Sequence, residues 1–119
     1  MMKYTPTVNQ ISAIFKLKDD FPHKIKEVED MVNKILKNLK LNAVKRTHHS
    51  FKPVGVTYVC ILSQSSLSLH TWPESGVIHI DLATCTGLDE DNFKKALTNS
   101  LPKGSIIKLK VYKMQKLTI

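Results

Sequence analysis

The chemistry this chain could do is concentrated in two short stretches. Ser63-Gln64-Ser65-Ser66-Leu67-Ser68-Leu69-His70-Thr71-Trp72-Pro73-Glu74 carries a run of serines ahead of a histidine and closes on a carboxylate. Asp81-Leu82-Ala83-Thr84-Cys85 then adds a second acid and a thiol. Hydroxyl, imidazole, carboxylate and thiol together make a reactive set for a small protein, able to serve as nucleophile, acid or base. Taken singly, each residue has a plainer reading. Ser65 in a run of small polar residues reads as a turn, and His70 as a hydrogen-bonded strand histidine. Glu74 reads as a surface turn, Phe51 as core, and Thr57 as a β-branched strand residue. The five histidines form no HxxxH or HExxH pattern and the two cysteines, Cys60 and Cys85, form no CxxC, so no metal site is predicted.

The elements that must position these groups follow from periodicity. Residues 8–17 alternate, with Ile11, Ala13, Phe15 and Leu17 on one face, which predicts a half-buried strand. Asp19 and Asp20 precede Pro22 and can cap the next element. From Pro22 to Leu39 the apolar residues Ile25, Val28, Met31, Val32, Ile35, Leu36 and Leu39 follow helical spacing. Residues 42–51 predict a strand, and Pro53-Val54-Gly55 a turn. Val56 to Leu62 is apolar on both faces, which predicts a central, buried strand. Residues 66–72 and 77–85 predict two more strands around the Pro73 to Gly76 turn. Asp89-Glu90-Asp91 opens a short helix with Phe93, Ala96 and Leu97. Ile106 to Tyr112 closes the chain as an edge strand bearing Lys108 and Lys110. The order β-α-β-β-β-β-α-β, with short turns in the middle, predicts an α/β (α+β) two-layer sandwich: a mainly antiparallel sheet with both helices on one face. Apolar residues on the other face then need a cover, which a second copy of the sheet would provide.

At 119 residues the chain predicts a single domain, 1–119, with one modest core. A hydrophobic content of 42% with 24% charged residues fits a globular protein. No apolar run approaches the ~20 residues of a membrane helix, and the start of the chain has no apolar signal-like core. A cytoplasmic protein without a membrane partner is expected. The net charge of +8 comes from lysines spread along the chain, with Arg46 the sole arginine. That distribution, without interleaved aromatic residues, reads as a solvated surface rather than a nucleic-acid interface.

The two stretches resemble the short bacterial and archaeal S-adenosylmethionine decarboxylases, whose pattern runs roughly S-E-S-H-x-x-x-H-T-x-P-E and then D-L-F-T-C-G. The upstream Thr47-His48-His49-Ser50-Phe51-Lys52-Pro53-Val54-Gly55-Val56 extends the resemblance, which covers most of the chain in element order. It implies a proenzyme that cuts itself at Gln64-Ser65 into 1–64 and 65–119, and a pyruvoyl group derived from Ser65. That group would hold the substrate amine as a Schiff base and act as electron sink for loss of CO2. The resemblance implies His70 as processing base, Thr57 as a hydroxyl assisting processing, and Cys85 as proton donor after decarboxylation. Glu74 would hold ribose hydroxyls and Phe51 would stack on adenine. It also implies a homodimer and a small-molecule substrate, S-adenosylmethionine, in polyamine (spermidine) synthesis.

The departures from the pattern are specific. Gln64 stands for Glu, Ser66 for His, Ala83 for Phe, Thr86 for Gly, and Thr57 for Ser. The first strand lacks the family's Gly-x-His and acid. Ser66 offers a second cleavage register, and Ser65 is preferred because it lies five residues before His70. Cys60 reads as a small buried hydrophobe and Trp72 as packing. The altered pocket opens a second substrate class, arginine or ornithine, and a third reading as a non-catalytic binding or regulatory partner. A separation of five puts Ser65 and His70 on opposite faces of a straight strand, so Ser65 must sit at a bend or a strand end.

Overall fold

The computed structural model describes residues 6–119. Its elements are β1 (Thr7–Leu17), α1 (Ile25–Leu39), β2 (Ala43–Ser50), β3 (Val56–Leu62), β4 (Ser65–Trp72), β5 (Val77–Thr84), α2 (Glu90–Asn99), β6 (Ile106–Lys113) and β7 (Leu117–Thr118). The expected order holds, with the two-residue β7 added where it pairs with the start of β1. The main sheet runs β2-β3-β4-β5-β1-β6, and every pairing is antiparallel.

Period-two alternation decides the faces. Ile11, Ala13, Phe15 and Leu17 of β1 are buried, as are Val56, Tyr58, Cys60 and Leu62 of β3. They meet Leu67 and Leu69 of β4, Ile78, Ile80 and Leu82 of β5, and the apolar sides of both helices. Burial raises the Cys60 thiol above its ordinary pKa, as expected of a cysteine used as a small hydrophobe. α1 buries Val28, Met31, Val32, Ile35 and Leu36, and α2 buries Phe93, Ala96 and Leu97.

Three expectations are corrected. The Val56 to Leu62 strand is not central: β3 lies second from the edge, and its odd positions face away from the helices, with Ile61 at 53% exposure. The capping acids are not Asp19 and Asp20. Asp20 takes a left-handed φ of 54° in the turn after β1, and Glu27 accepts the N–H groups of Lys24 (3.0 Å) and His23 (3.2 Å). Those two bonds hold the Glu27 carboxyl below its ordinary pKa. Trp72 is not core packing either, being 43% exposed on the open face.

α1 is tied to the sheet by one polar knot. The buried Tyr58 hydroxyl donates to Glu29 Oε2 (2.7 Å) and accepts from Arg46 (3.3 Å), and Arg46 also donates to Asn33 (2.6 Å). Burial pushes the Tyr58 phenol above its ordinary pKa, so it remains a donor. Tyr58→Phe should therefore lower stability by about 1 kcal/mol in urea unfolding, whereas Leu69→Ala should cost about 3 kcal/mol. Equal costs for the two would contradict a core carried by apolar packing with the knot as a minor contributor.

Candidate active site

The open face of the sheet is set by cross-strand register. Thr57, His70, His79 and Ile14 form one row across β3, β4, β5 and β1, and Val59, Ser68, Asp81 and Ser12 form the next. Thr57 Oγ1 lies 2.8 Å from His70 Nδ1. His70 stacks on His79 with ring centroids 6.0 Å apart and planes 16° apart. Asp81 reaches both ways, to His79 Nε2 at 3.3 Å and to the Ser12 hydroxyl. Trp72 tilts against both imidazoles. His70, Thr57, Phe51, Glu74 and Trp72 line one cavity of about 310 Å³. Phe51 is half exposed and Glu74 fully on the surface, so neither belongs to the core.

Ser65 is elsewhere. It is the first residue of β4 and pairs with Leu62 across a two-residue turn, Ser63-Gln64. The requirement for a strand end is met. Gln64 adopts φ +57°, a left-handed conformation that costs a non-glycine residue about 1 kcal/mol. The strain adjoins the Gln64–Ser65 peptide, and the side chains on both sides of that bond are held by the last residue of β5 and the residue that follows it. Ser65 Oγ donates to Thr84 Oγ1 (2.9 Å), and the Cys85 thiol donates to Gln64 Oε1 (3.3 Å). Gln64, Ser65, Ser66, Ala83, Thr84 and Cys85 line a second cavity of about 420 Å³.

The predicted residues thus form two groups. Thr57, His70, Phe51 and Glu74 come together at one end of β4, and Gln64, Ser65 and Cys85 at the other. The five residue steps from Ser65 to His70 span about 17 Å at strand rise. Within one chain the imidazole does not reach the serine. Two hydroxyls missed from the sequence, those of Thr84 and Thr86, stand beside Ser65 at its end. Only knowledge that Ser65 registers opposite Thr84 could have exposed them. Among the described residues, no group of three or more His, Cys, Asp or Glu is placed to hold a metal, and no helix is long and apolar enough to cross a membrane.

The sequence pattern of the S-adenosylmethionine decarboxylase family matches residues 12–113. A proenzyme of that name from Archaeoglobus fulgidus is 30% identical over 95 residues, covering 78% of this chain and 85% of the relative. One from Thermotoga petrophila is 45% identical over 76 residues, 58% of each chain. The crystal structure of the adenosylmethionine decarboxylase of Aquifex aeolicus superposes with a TM-score of 0.65 at 22% identity, covering 92% of this chain and 91% of that one, so the fold is shared.

The contact between Thr57 and His70 is testable alone. Thr57→Val should move the His70 Nδ1 nitrogen resonance in a long-range 1H–15N spectrum, with stability changed by less than about 1 kcal/mol. An unmoved resonance would show that the hydroxyl does not orient this imidazole.

Proposed function

This chain belongs to the S-adenosylmethionine decarboxylase family, and we propose that it is a self-cleaving, pyruvoyl-dependent decarboxylase whose active site is completed by a second copy of itself. The observation that carries the reading is the placement of Ser65. It follows a left-handed residue in a tight hairpin, its hydroxyl is engaged by Thr84, and Cys85 stands in the same cavity.

In the proposed cleavage, Ser65 Oγ attacks the carbonyl carbon of Gln64 and the C–N bond breaks, leaving an ester. The neutral Gln64 side chain does not hinder this, because only its backbone carbonyl reacts. Removal of the Ser65 α-proton by an imidazole then expels the Gln64 carboxylate. Hydrolysis of the dehydroalanine that remains releases ammonia and leaves a ketone at the head of residues 65–119. A pyruvoyl group so derived fits this site, which combines a held serine and a thiol beside one open cavity. When present, it supplies the electron sink for decarboxylation. Cys85, free and half-buried, would deliver the proton to the substrate carbon.

The α-proton base is His70, and geometry supports its arriving from a partner. Two sheets packed open face to open face lie about 10 Å apart. A two-fold between them can bring the His70 end of one copy to the Ser65 end of the other, where the Ser65 side chain turns to the helix side, so that the imidazole approaches the Ser65 backbone and not its hydroxyl. It would also cover the exposed Ile14, Ile61 and Trp72. Each completed site would then hold Ser65 and Cys85 of one copy with Thr57 and His70 of the other.

The substrate we propose is S-adenosylmethionine, making its decarboxylated form for polyamine synthesis. Phe51 beside Glu74 in one cavity supports it, an aromatic face for a base and a carboxylate for ribose hydroxyls. Arginine or ornithine would leave Phe51 without a partner, and a non-catalytic role would leave Ser65, His70 and Cys85 unexplained. Two free thiols accord with a reducing cytoplasm.

Intact-mass spectrometry of the purified chain should find fragments 1–64 and 65–119, the second blocked to N-terminal sequencing. Ser65→Ala should stay whole and inactive. Cys85→Ser should slow turnover by about a hundredfold at unchanged pyruvoyl content. A wild-type chain that stays whole after long incubation would overturn the reading, and full turnover in Cys85→Ser would remove the thiol from it.

A further inference from the structure

We propose that Thr84 accepts the Ser65 proton in the first step of chain cleavage, and that Thr84 and Thr86 relay it to solvent. The inference rests on the self-cleavage reading above and assigns the step for which that reading names no base.

Hydrogen-bond counting sets the direction. A threonine hydroxyl has one proton to donate and two lone pairs. Thr84 Oγ1 has three partners: the backbone N–H of Thr86 at 3.1 Å, Ser65 Oγ at 2.9 Å and Thr86 Oγ1 at 2.9 Å. The N–H can only donate, so it fills one lone pair. Ser65 donates into the other. The Thr84 proton is then left for Thr86 Oγ1. The chain of hydroxyls runs Ser65 to Thr84 to Thr86, away from the hairpin.

Burial gives the relay a start and an end. Thr84 is 4% exposed, whereas Thr86 is on the surface. The turn carrying Thr86 is fixed to β1 by Asn9, itself 7% exposed, whose side chain donates to the Thr86 carbonyl at 3.1 Å. With its proton pointed at Thr84, Ser65 Oγ keeps its lone pairs for the Gln64 carbonyl. The left-handed Gln64 and its bond from Cys85 fix the other side of the same peptide.

The step balances without a further reagent. The Ser65 Oγ–H bond breaks as the bond from Oγ to the Gln64 carbonyl carbon forms. The proton enters at Thr84 Oγ1, the Thr84 proton moves to Thr86 Oγ1, and a Thr86 proton leaves to water. The Gln64–Ser65 C–N bond breaks, and the Ser65 nitrogen takes a proton from water. Ester formation therefore needs one chain, and only the later loss of the α-proton needs His70.

The test uses the full-length chain and hydroxylamine, which cuts an ester but not a peptide bond. His70→Ala should accumulate a species that hydroxylamine splits into 1–64 and 65–119. Adding Thr84→Val, close in shape, should reduce that yield by about a hundredfold. Thr84→Ser, which restores the hydroxyl, should recover it to within about threefold. Thr86→Val, at an exposed position, should slow ester formation and shrink its solvent deuterium isotope effect. Ester formed by Thr84→Val or Thr86→Val at the parent rate would overturn the relay. No recovery in Thr84→Ser would also overturn it, since bulk and not the hydroxyl would then matter. A wild-type chain that neither cuts nor yields ester would overturn the underlying reading and the relay together.

Discussion

A β-strand turns successive side chains to opposite faces and advances about 3.3 Å per residue, and the arrangement of reactive groups in this protein depends on that rule. Ser65 and His70 share β4, five positions apart. The odd interval puts them on opposite faces, and the rise puts them at opposite ends. β4 cannot fold back to join them, because it is paired along its length with β3 on one side and β5 on the other. One chain therefore holds the two groups apart, and in the proposed function each is half of a site. At one end a strained hairpin presents Ser65 and Gln64 to Thr84 and Cys85. At the other, Thr57 orients His70 beside Phe51 and Glu74.

The same alternation explains the open face. Both helices lie on the side where β1, β3, β4 and β5 present apolar residues, so the other side carries what remains. It mixes Ile14, Ile61 and Trp72 with polar residues of two successive rows, Thr57, His70 and His79 in one and Ser68 and Asp81 in the next. Exposed apolar groups of this size favour a cover, and polar groups between them favour a cover of one register. Lys16, Lys108 and Lys110 gather at the β1–β6 side of this face, so lysines that look scattered along the chain converge in the fold.

The layer architecture was legible in the sequence because it rests on periodicity. The stripe from Ile25 to Leu39 and the alternation from Ile11 to Leu17 each read directly as buried faces. β3 was misplaced because Val59 and Ile61 are apolar on a face that no helix covers, and apolarity alone does not say what the cover is. The helix start was misread because Glu27, inside the helix, satisfies the N–H groups that Asp19 and Asp20 were expected to reach. In the candidate site, the family resemblance carried by residues 63–74 and 81–85 pointed to Ser65, His70 and Cys85, which residue type and spacing alone did not. Their division into two ends followed from strand geometry once Leu62 and Ser65 were seen to close the hairpin. The contact of Thr84 with Ser65 was not legible, since it depends on a cross-strand register that a Ser-Gln turn does not announce.

The division into half-sites is tested most directly by complementation. Ser65→Ala keeps the imidazole and loses the nucleophile, and His70→Ala does the reverse. Each chain is purified uncut, and the two are then unfolded and refolded together. Cutting of the His70→Ala chain into 1–64 and 65–119 only in the mixture, read by intact mass, is the predicted result. A mixture that stays whole although the two chains associate, or a His70→Ala chain that cuts by itself at the wild-type rate, would contradict a site shared between copies.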